Sequence, residues 1–213
     1  MPAYAEVAAP ATTEAAKASN PFFAPSPLPL HYPQFDKIKD SHFAPAFDAG
    51  MAEQLKEIEA ITNNADAPTF ENTIIPMEKS GQVLDRATTV FFALVGADTN
   101  KDREKLQGEY STKFAAHSDA ISLNGKLFAR IKALYDSRDT LGLDAQSVRL
   151  IERYHTSFVR SGANLSDADK ATLKQMNSEL ASLGTKFSQN VLAAVNASAR
   201  EVEDVQEPDG LSE

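Results

Sequence analysis

The distribution of proline constrains the fold of this 213-residue chain most strongly, because eight of its eleven prolines lie within the first 45 residues. Proline removes a backbone donor and fixes φ, so residues 20–42 cannot form a central strand or the interior of a helix. The same segment is rich in aromatic and aliphatic side chains, which a disordered linker lacks. We therefore expect residues 20–42 to form an extended, proline-rich strap that lies over a helical body.

The first 19 residues differ from the strap in composition. They are rich in alanine, threonine and glutamate, and they lack the basic and apolar regions of a signal peptide. We expect residues 1–19 to be a flexible leader, of the kind that follows a removed export signal or that remains from an expression vector. On this composition we expect a periplasmic protein, with the cytoplasm as the alternative.

Helical periodicity begins after the strap and continues to about residue 199. Apolar residues recur every three or four positions, which is typical of amphipathic helices. We expect residues 43–200 to form an all-α domain, a multi-helix antiparallel bundle with long helices. The predicted helices cover about 41–62, 69–95, 101–123, 126–139, 144–161 and 167–199. In the second of them, Pro76 would either kink the helix in its second turn or mark a delayed start.

Capping residues mark several of these helix ends. Asp40 or Ser41 can cap the first helix and Thr69 the second, while Ser166 with Asp169 resembles a capping box before the last. The last helix would be about 50 Å long, so we expect it to pack antiparallel on long neighbours. Its apolar stripe has near-heptad spacing and consists of Leu173, Met176, Leu180, Leu183, Phe187, Val191 and Ala194.

Charge and cysteine content narrow the possible functions. A formal net charge of −9 argues against a nucleic-acid-binding surface. No stretch approaches the roughly 20 apolar residues that a membrane span needs. The absence of cysteine excludes disulfides, thiolate metal sites and a cysteine nucleophile. We therefore expect neither nucleic acid nor membrane among the partners.

The histidines form no metallopeptidase motif. None of the four, His31, His42, His117 and His155, belongs to a His-Glu-x-x-His sequence. His117 and His155 lie on apolar helical stripes, so we expect them to be packed, hydrogen-bonded residues at the edge of the core. For His31 and His42 we expect roles in packing and capping. Glu152 and His155 have the Glu-x-x-His spacing of a di-iron bundle, but the second pair that such a site needs is missing.

Other catalytic patterns are absent from the sequence as well. It contains no Gly-x-Ser-x-Gly elbow, no phosphate-binding loop and no Gly-x-Gly-x-x-Gly turn. A Ser-His-Asp triad is a spatial arrangement, so one sequence does not exclude it. The carboxylates, such as those of Glu57 and Glu59, are expected to be solvated surface. We therefore assign no catalytic, cofactor-binding or metal-ligating residue to this chain.

An ordered series of local patterns is more specific than any single residue. The most distinctive of them is Pro-Thr-Phe-Glu-Asn-Thr-Ile at residues 68–74. Asn-Pro-Phe stands at residues 20–22. Further members of the series occupy residues 35–39, 42–47, 78–81, 124–131, 158–163 and 180–191.

This series resembles the N-terminal third of the thimet-oligopeptidase-like zinc metallopeptidases, in the branch of bacterial dipeptidyl carboxypeptidase and oligopeptidase A, and it covers residues 20–213. The resemblance implies a mostly helical parent protein whose two halves flank a deep channel for short, unfolded peptides. In that family a His-Glu-x-x-His helix and a downstream glutamate hold zinc, and the glutamate of the motif activates water. The dipeptidyl branch removes C-terminal dipeptides.

The family's zinc motif does not occur in this sequence, so no catalytic residue of the family can be assigned to a position here. The resemblance implies a non-catalytic N-terminal portion that forms one wall of the substrate channel, with zinc and short peptides bound by the full-length parent. We expect residues 201–213 to be a truncated connection toward a missing catalytic domain of the same chain. A short edge strand at residues 201–205 would fit the sequence there.

One further expectation follows from the resemblance. A domain separated from its partner exposes apolar surface, so we expect self-association.

The alternative to a peptidase portion is a stand-alone helical binding or scaffold protein, which bare helical periodicity supports equally well. A reading frame that continues beyond Glu213 into a His-Glu-x-x-His sequence would distinguish the two hypotheses.

Overall fold

The computed structural model describes residues 20–198, and this part of the chain is helical without any β-strand. Six helices of 13 residues or more dominate it, which confirms the all-α fold class. The predicted leader at 1–19 and the predicted connection at 201–213, with its edge strand, lie outside the described residues. The α-helices are α1 (Phe43–Thr62), α2 (Ile75–Lys79), α3 (Gln82–Ala97), α4 (Lys101–Ser122), α5 (Gly125–Ser137), α6 (Ala145–Arg160) and α7 (Asp167–Ser198).

An aromatic cluster forms one end of the core. The Phe47 ring lies 5.2 Å from the Phe91 ring, 5.0 Å from that of Tyr110 and 5.0 Å from that of Phe114, measured between ring centroids. Two of these contacts are edge-to-face, a geometry that adds about 0.5–1.5 kcal/mol per pair beyond the area it buries. The cluster therefore joins the first half of α1 to α3 and α4.

A second, mainly aliphatic cluster lies at the second half of α1. Ile58 and Ile61 in the second half of α1 pack there against Leu127 and Ile131 of α5 and Phe158 of α6. α1 thus contributes to both clusters along one face, as its apolar spacing of three and four residues predicts.

The start of α1 differs from its predicted capping. A 3₁₀ turn, Asp40–His42, precedes the helix, and no side chain caps it. The Asp40 carboxylate instead accepts hydrogen bonds from Arg103 Nε at 2.7 Å and from Asn100 Nδ2 at 2.9 Å. These bonds lower the pKa of Asp40, although burial alone would raise it. The expected capping role of Asp40 and Ser41 is wrong, because a partner on α4 outcompetes the local backbone for this carboxylate.

The helix predicted over residues 69–95 is interrupted. A π-helical turn, Phe70–Ile74, leads into α2, and the chain then breaks at Ser80 and Gly81 before α3 begins. Gly81 has a φ of +74° and donates its N–H to Glu57 Oε2 at 2.7 Å, while Gln54 fills the space that a Cβ would need. The sequence predicted an interruption at Pro76 alone, and it missed the break at Gly81, where left-handed backbone cannot continue a helix.

Two predicted helix ends are confirmed. Thr69 Oγ1 accepts from Asn72 N at 3.1 Å, and Asn72 Oδ1 accepts from Thr69 N at 2.8 Å, which is a reciprocal capping box. At the end of α6, Gly162 N donates to Val159 O and Ala163 N donates to Phe158 O, the bond pair of a Schellman motif.

The strap is anchored near its ends and exposed in its middle. Phe22 is buried against the Phe43 ring at 5.2 Å between centroids, and Asn20 Nδ2 donates to His42 O at 2.8 Å. Between these anchors the chain forms 3₁₀ turns at Pro21–Phe23 and Pro29–His31, and Leu30 is fully exposed. The strap therefore covers α3 through its first residues, while its middle stands away from the core.

Candidate functional site

α7 packs chiefly against α4, and its half-buried side chains are mostly polar or small, with Leu173 and Leu192 as the large apolar exceptions. Asn177 Nδ2 donates to Asp119 Oδ1 at 2.7 Å, and Gln189 Nε2 donates to Glu104 O at 2.8 Å. The higher-numbered residue of α7 meets the lower-numbered residue of α4, so the two helices are antiparallel, as predicted. Ala181 is half-buried along the same side of α7.

A second side of α7 carries large apolar residues that no described part of the chain covers. We call this side the open face, and each of its side chains is 45–70% exposed. α7 contains no buried residue, and within the described part of the chain only Leu173 of its predicted apolar stripe is half-buried. Helical periodicity places these residues on one side, but packing on α4 uses another side of the helix. The open face consists of Met176, Leu180, Leu183, Phe187, Val191 and Val195.

A contiguous exposed apolar surface of this kind commonly marks an interaction site. The residues of the open face follow one another at intervals of three or four, so they form one stripe along about 28 Å of helix. A shallow cavity of about 630 Å³ beside this stripe is lined by Thr112 of α4 and by Ser178, Ser182 and Leu183 of α7. The open face is therefore the strongest candidate interface of this chain.

His117 joins α4 to α1. Its Nε2 lies 2.7 Å from Gln54 Oε1, and its buried Nδ1 has no hydrogen-bond partner among the described residues. Burial lowers the pKa of His117. These contacts are those of a hydrogen-bonded residue at the edge of the core.

Glu152 and His155, the pair with di-iron spacing, engage separate partners. The His155 ring stacks on the Tyr135 ring at 3.8 Å between centroids and 7° between planes. The Glu152 carboxylate accepts from Arg149 Nη1 at 3.0 Å and lies 3.5 Å from Arg138 Nε. Burial, with a smaller contribution from Lys132, lowers the pKa of His155. The structure does not bring this pair together with further ligands.

The two histidines near the strap make backbone contacts. His31 Nδ1 lies 2.8 Å from Ser26 O, and His42 Nδ1 accepts from Lys39 N at 3.1 Å. Burial and the charge of Lys39 lower the pKa of His42.

Within residues 20–198, no three His, Asp or Glu side chains are grouped as a metal site would require. No helix in that range is long and apolar enough to cross a membrane.

Arg130 is a residue that sequence reasoning missed. It is buried on α5 and donates to four neutral oxygens of the segment before α2. Nη2 donates to Asn72 Oδ1 at 2.8 Å, and Nε donates to Thr73 Oγ1 at 3.2 Å. Nη1 donates to the carbonyl oxygens of Asn64 at 3.0 Å and Asp66 at 3.2 Å. The only sequence signal was an arginine between apolar residues of a helical stripe.

Curated proteins provide clear matches. The chain is 45% identical over 194 residues to a dipeptidyl carboxypeptidase of Escherichia coli (strain K12), a match that covers 91% of this chain and 28% of that protein. It is 26% identical over 183 residues to an organellar oligopeptidase A of Arabidopsis thaliana, covering 84% of the chain and 23% of that protein. An oligopeptidase A of Escherichia coli (strain K12) is 24% identical over 188 residues, covering 87% and 27%. No protein-family model matches the sequence.

The matches extend over most of this chain but only a minor part of each relative. The chain spans about 28% of the length of the dipeptidyl carboxypeptidases that it matches. Both kinds of relative belong to the branch that the ordered motifs indicate. The chain therefore corresponds to the N-terminal portion of the thimet-oligopeptidase-like peptidases, in the branch of dipeptidyl carboxypeptidase and oligopeptidase A.

Proposed function

We propose that this chain is a non-catalytic N-terminal portion of a zinc metallopeptidase that acts on short peptides and releases C-terminal dipeptides. One observation carries the choice of reaction. Identity to a protein named dipeptidyl carboxypeptidase is 45%, whereas identity to proteins named oligopeptidase A is 22–26% over a similar span. Removal of C-terminal dipeptides is therefore favoured over cleavage inside an oligopeptide.

The described residues do not fit a zinc centre. His117 and His155 are engaged by Gln54 and Tyr135, and no group of three His, Asp or Glu side chains occurs within residues 20–198. In this proposal zinc would act as a Lewis acid in a part of the peptidase outside these residues. This chain contributes a rigid helical wall to the substrate channel, and its open face meets the remainder of the peptidase.

A chimera tests the proposal. Residues 20–213 of this chain would replace the matching portion of the Escherichia coli dipeptidyl carboxypeptidase, and release of dipeptides from a blocked peptide would be measured with zinc present. We expect the chimera to cleave, and we expect the same chimera with Leu180→Glu and Phe187→Glu to lose most activity, because two charges would be buried at the interface. A chimera with Leu141→Glu, an exposed leucine outside α7, is the control.

Two results would contradict the proposal. One is a folded chimera, judged by circular dichroism, that binds zinc but releases no dipeptide. The other is hydrolysis of short peptides at enzyme-like rates by the isolated 213-residue chain with zinc.

Periplasmic location is proposed from the leader composition alone, and osmotic-shock fractionation of cells that express the full reading frame tests it.

A further inference from the structure

A cavity lies between the strap and α3. Its volume is about 490 Å³, which is within the range of roughly 300–1,000 Å³ that small-molecule sites occupy. Apolar walls come from both sides, with Phe22, Pro25 and Ile38 on the strap and Val90 on α3. We call it the strap cavity.

Two positively charged side chains, Arg86 and Lys37, line the strap cavity. Arg86 of α3 donates from Nε to Phe22 O at 3.1 Å, a bond that fixes the guanidinium, and neither Nη atom has a hydrogen-bond partner within residues 20–198. Lys37 of the strap is exposed at the rim. Asp85 is the single carboxylate among the described lining residues, so the lining has a net positive charge in a chain whose formal net charge is −9. Local charge opposite to that of the whole chain favours an anionic ligand.

The backbone beside the strap cavity is strained. Leu30 and His31 have consecutive φ values of +56° and +55°, and a left-handed conformation costs a non-glycine residue about 1–2 kcal/mol. His31 lines the strap cavity, and its Nδ1 lies 2.8 Å from the carbonyl oxygen of Ser26, another lining residue. Strain of this size is commonly maintained where side chains must converge on a ligand.

We propose that the strap cavity binds a small carboxylate with an apolar body. The carboxylate meets the free Nη atoms of Arg86 and the Nζ of Lys37, since a guanidinium fork matches the two oxygens of a carboxylate. The apolar body packs against Phe22, Ile38 and Val90. A single negative charge suits this lining better than a doubly charged phosphate, because Asp85 offsets one of the two cations. This inference goes beyond the proposed peptidase function and does not depend on it.

Nuclear magnetic resonance titration of the methyl-labelled 213-residue chain tests the inference. The probes are phenylacetate, the uncharged phenylacetamide and inorganic phosphate. We expect phenylacetate to shift the methyl signals of Ile38 and Val90 saturably, with a dissociation constant in the millimolar range for so few atoms. Phenylacetamide lacks the charge and phosphate lacks the apolar body, so we expect each to bind about tenfold more weakly.

Matched variants test which positively charged side chains bind the carboxylate. Lys37→Gln changes an exposed side chain, and we expect it to weaken phenylacetate binding about fivefold while leaving stability unchanged. Arg86→Gln should weaken binding further, although it also releases Phe22 O. Lys56→Gln, at an exposed lysine outside the strap cavity, should bind as the parent does. The inference is overturned by an absence of saturable shifts, by equal binding of phenylacetamide, or by equal effects of Lys37→Gln and Lys56→Gln.

Discussion

Arg130 gives a physical reason for the most distinctive motif of the sequence. The side chains of Asn72 and Thr73 accept two of its hydrogen bonds, and the other two end on the backbone carbonyls of Asn64 and Asp66. Since all four acceptors are neutral, the guanidinium is solvated by the chain rather than paired with a carboxylate. A single side chain therefore bonds both to the turn at residues 64–66 and to the π-helical segment.

Replacing Arg130 should cost considerable stability. Arg130→Met removes four hydrogen bonds, one of them to the buried Thr73 hydroxyl and three to partly buried oxygens, and we expect the free energy of unfolding to fall by about 2–4 kcal/mol. Arg130→Lys keeps the charge but loses the fork, so it should recover only part of that loss. Urea denaturation followed by circular dichroism measures both. Arg149→Met, at an exposed arginine, is the control, and an equal effect of the two methionine variants would contradict the role of Arg130.

At the same scale, the sequence predicted some side-chain roles and not others. The Thr69 cap could be predicted because its partner, Asn72, is three residues away. The roles of Arg130 and Asp40 could not be predicted, because each bonds to groups about 60 residues distant along the chain. Local capping rules give Asp40 a nearby backbone partner, whereas the fold brings Arg103 to it.

At the scale of helices, α1 and α3 approach closely at Gly50. A Cβ on Gly50 would lie 2.7 Å from Leu84 N and 2.8 Å from Leu84 Cα, so the two backbones would have to separate. Gly108, in the interior of α4, has open space at the same position. The two glycines form a matched pair within helices.

Alanine substitutions at these positions should have opposite effects. Gly50→Ala should lower the free energy of unfolding by about 1–3 kcal/mol because it overpacks a helix contact. Gly108→Ala should raise it by about 0.5–1 kcal/mol because glycine is a poor helix former. Thermal and urea unfolding of both variants measure the difference. A stabilised Gly50→Ala variant would show that α1 and α3 are not in close contact there.

Three histidines of the folded chain should make its stability depend on pH. His117, His42 and His155 all have lowered pKa values in the folded chain, chiefly because of burial. The unfolded chain therefore takes up protons first as pH falls below the ordinary histidine value of 6.5. Stability is complete above that pH and should be lost as pH falls through the folded pKa values.

Urea unfolding at several pH values between about 5 and 8 measures this loss, in a window where few carboxylates titrate. We expect the free energy of unfolding to decrease steadily toward pH 5. His117→Gln keeps a polar partner for Gln54 and removes one titrating group, so its profile should be flatter. Stability that rises toward pH 5 would mean that the folded chain favours charged histidines.

Helix existence and helix packing differ in how far sequence predicts them. Periodicity located α1 and α4–α7 within a few residues, because it depends on the chain's own order. It did not predict the break at Gly81, because a glycine in a heptad position is compatible with either a helix or a turn. It also did not predict which side of α7 would be buried, since that depends on what lies opposite.

At the scale of the whole molecule, the open face should cause the isolated chain to self-associate. Its six residues are 45–70% exposed and form an apolar stripe about 28 Å long, so two copies packed along it would cover a continuous apolar surface on each molecule. We expect sedimentation velocity to show a species larger than a monomer that grows with concentration.

Two substitutions on the open face should abolish that species. Leu180→Glu with Phe187→Glu places charges in the centre of the stripe, so the double variant should sediment as a monomer. Leu30→Glu with Leu141→Glu adds the same charge at exposed leucines outside α7 and should still associate. A strictly monomeric parent chain at high concentration would contradict this prediction.

The polar contact between α4 and α7 has a further consequence, for cooperativity. This helix of 32 residues is held by amide hydrogen bonds and by mostly polar or small side chains, and Leu173 and Leu192 are its half-buried large apolar residues. It therefore has less apolar contact to lose on detaching than α1, which contributes to both core clusters. We expect native-state hydrogen exchange to show α7 opening as its own unit, with a lower opening free energy than α1, whose amides should exchange only with global unfolding. Protection of α7 equal to that of α1 would contradict this expectation. Within this small domain, the longest helix would then be the first to unfold.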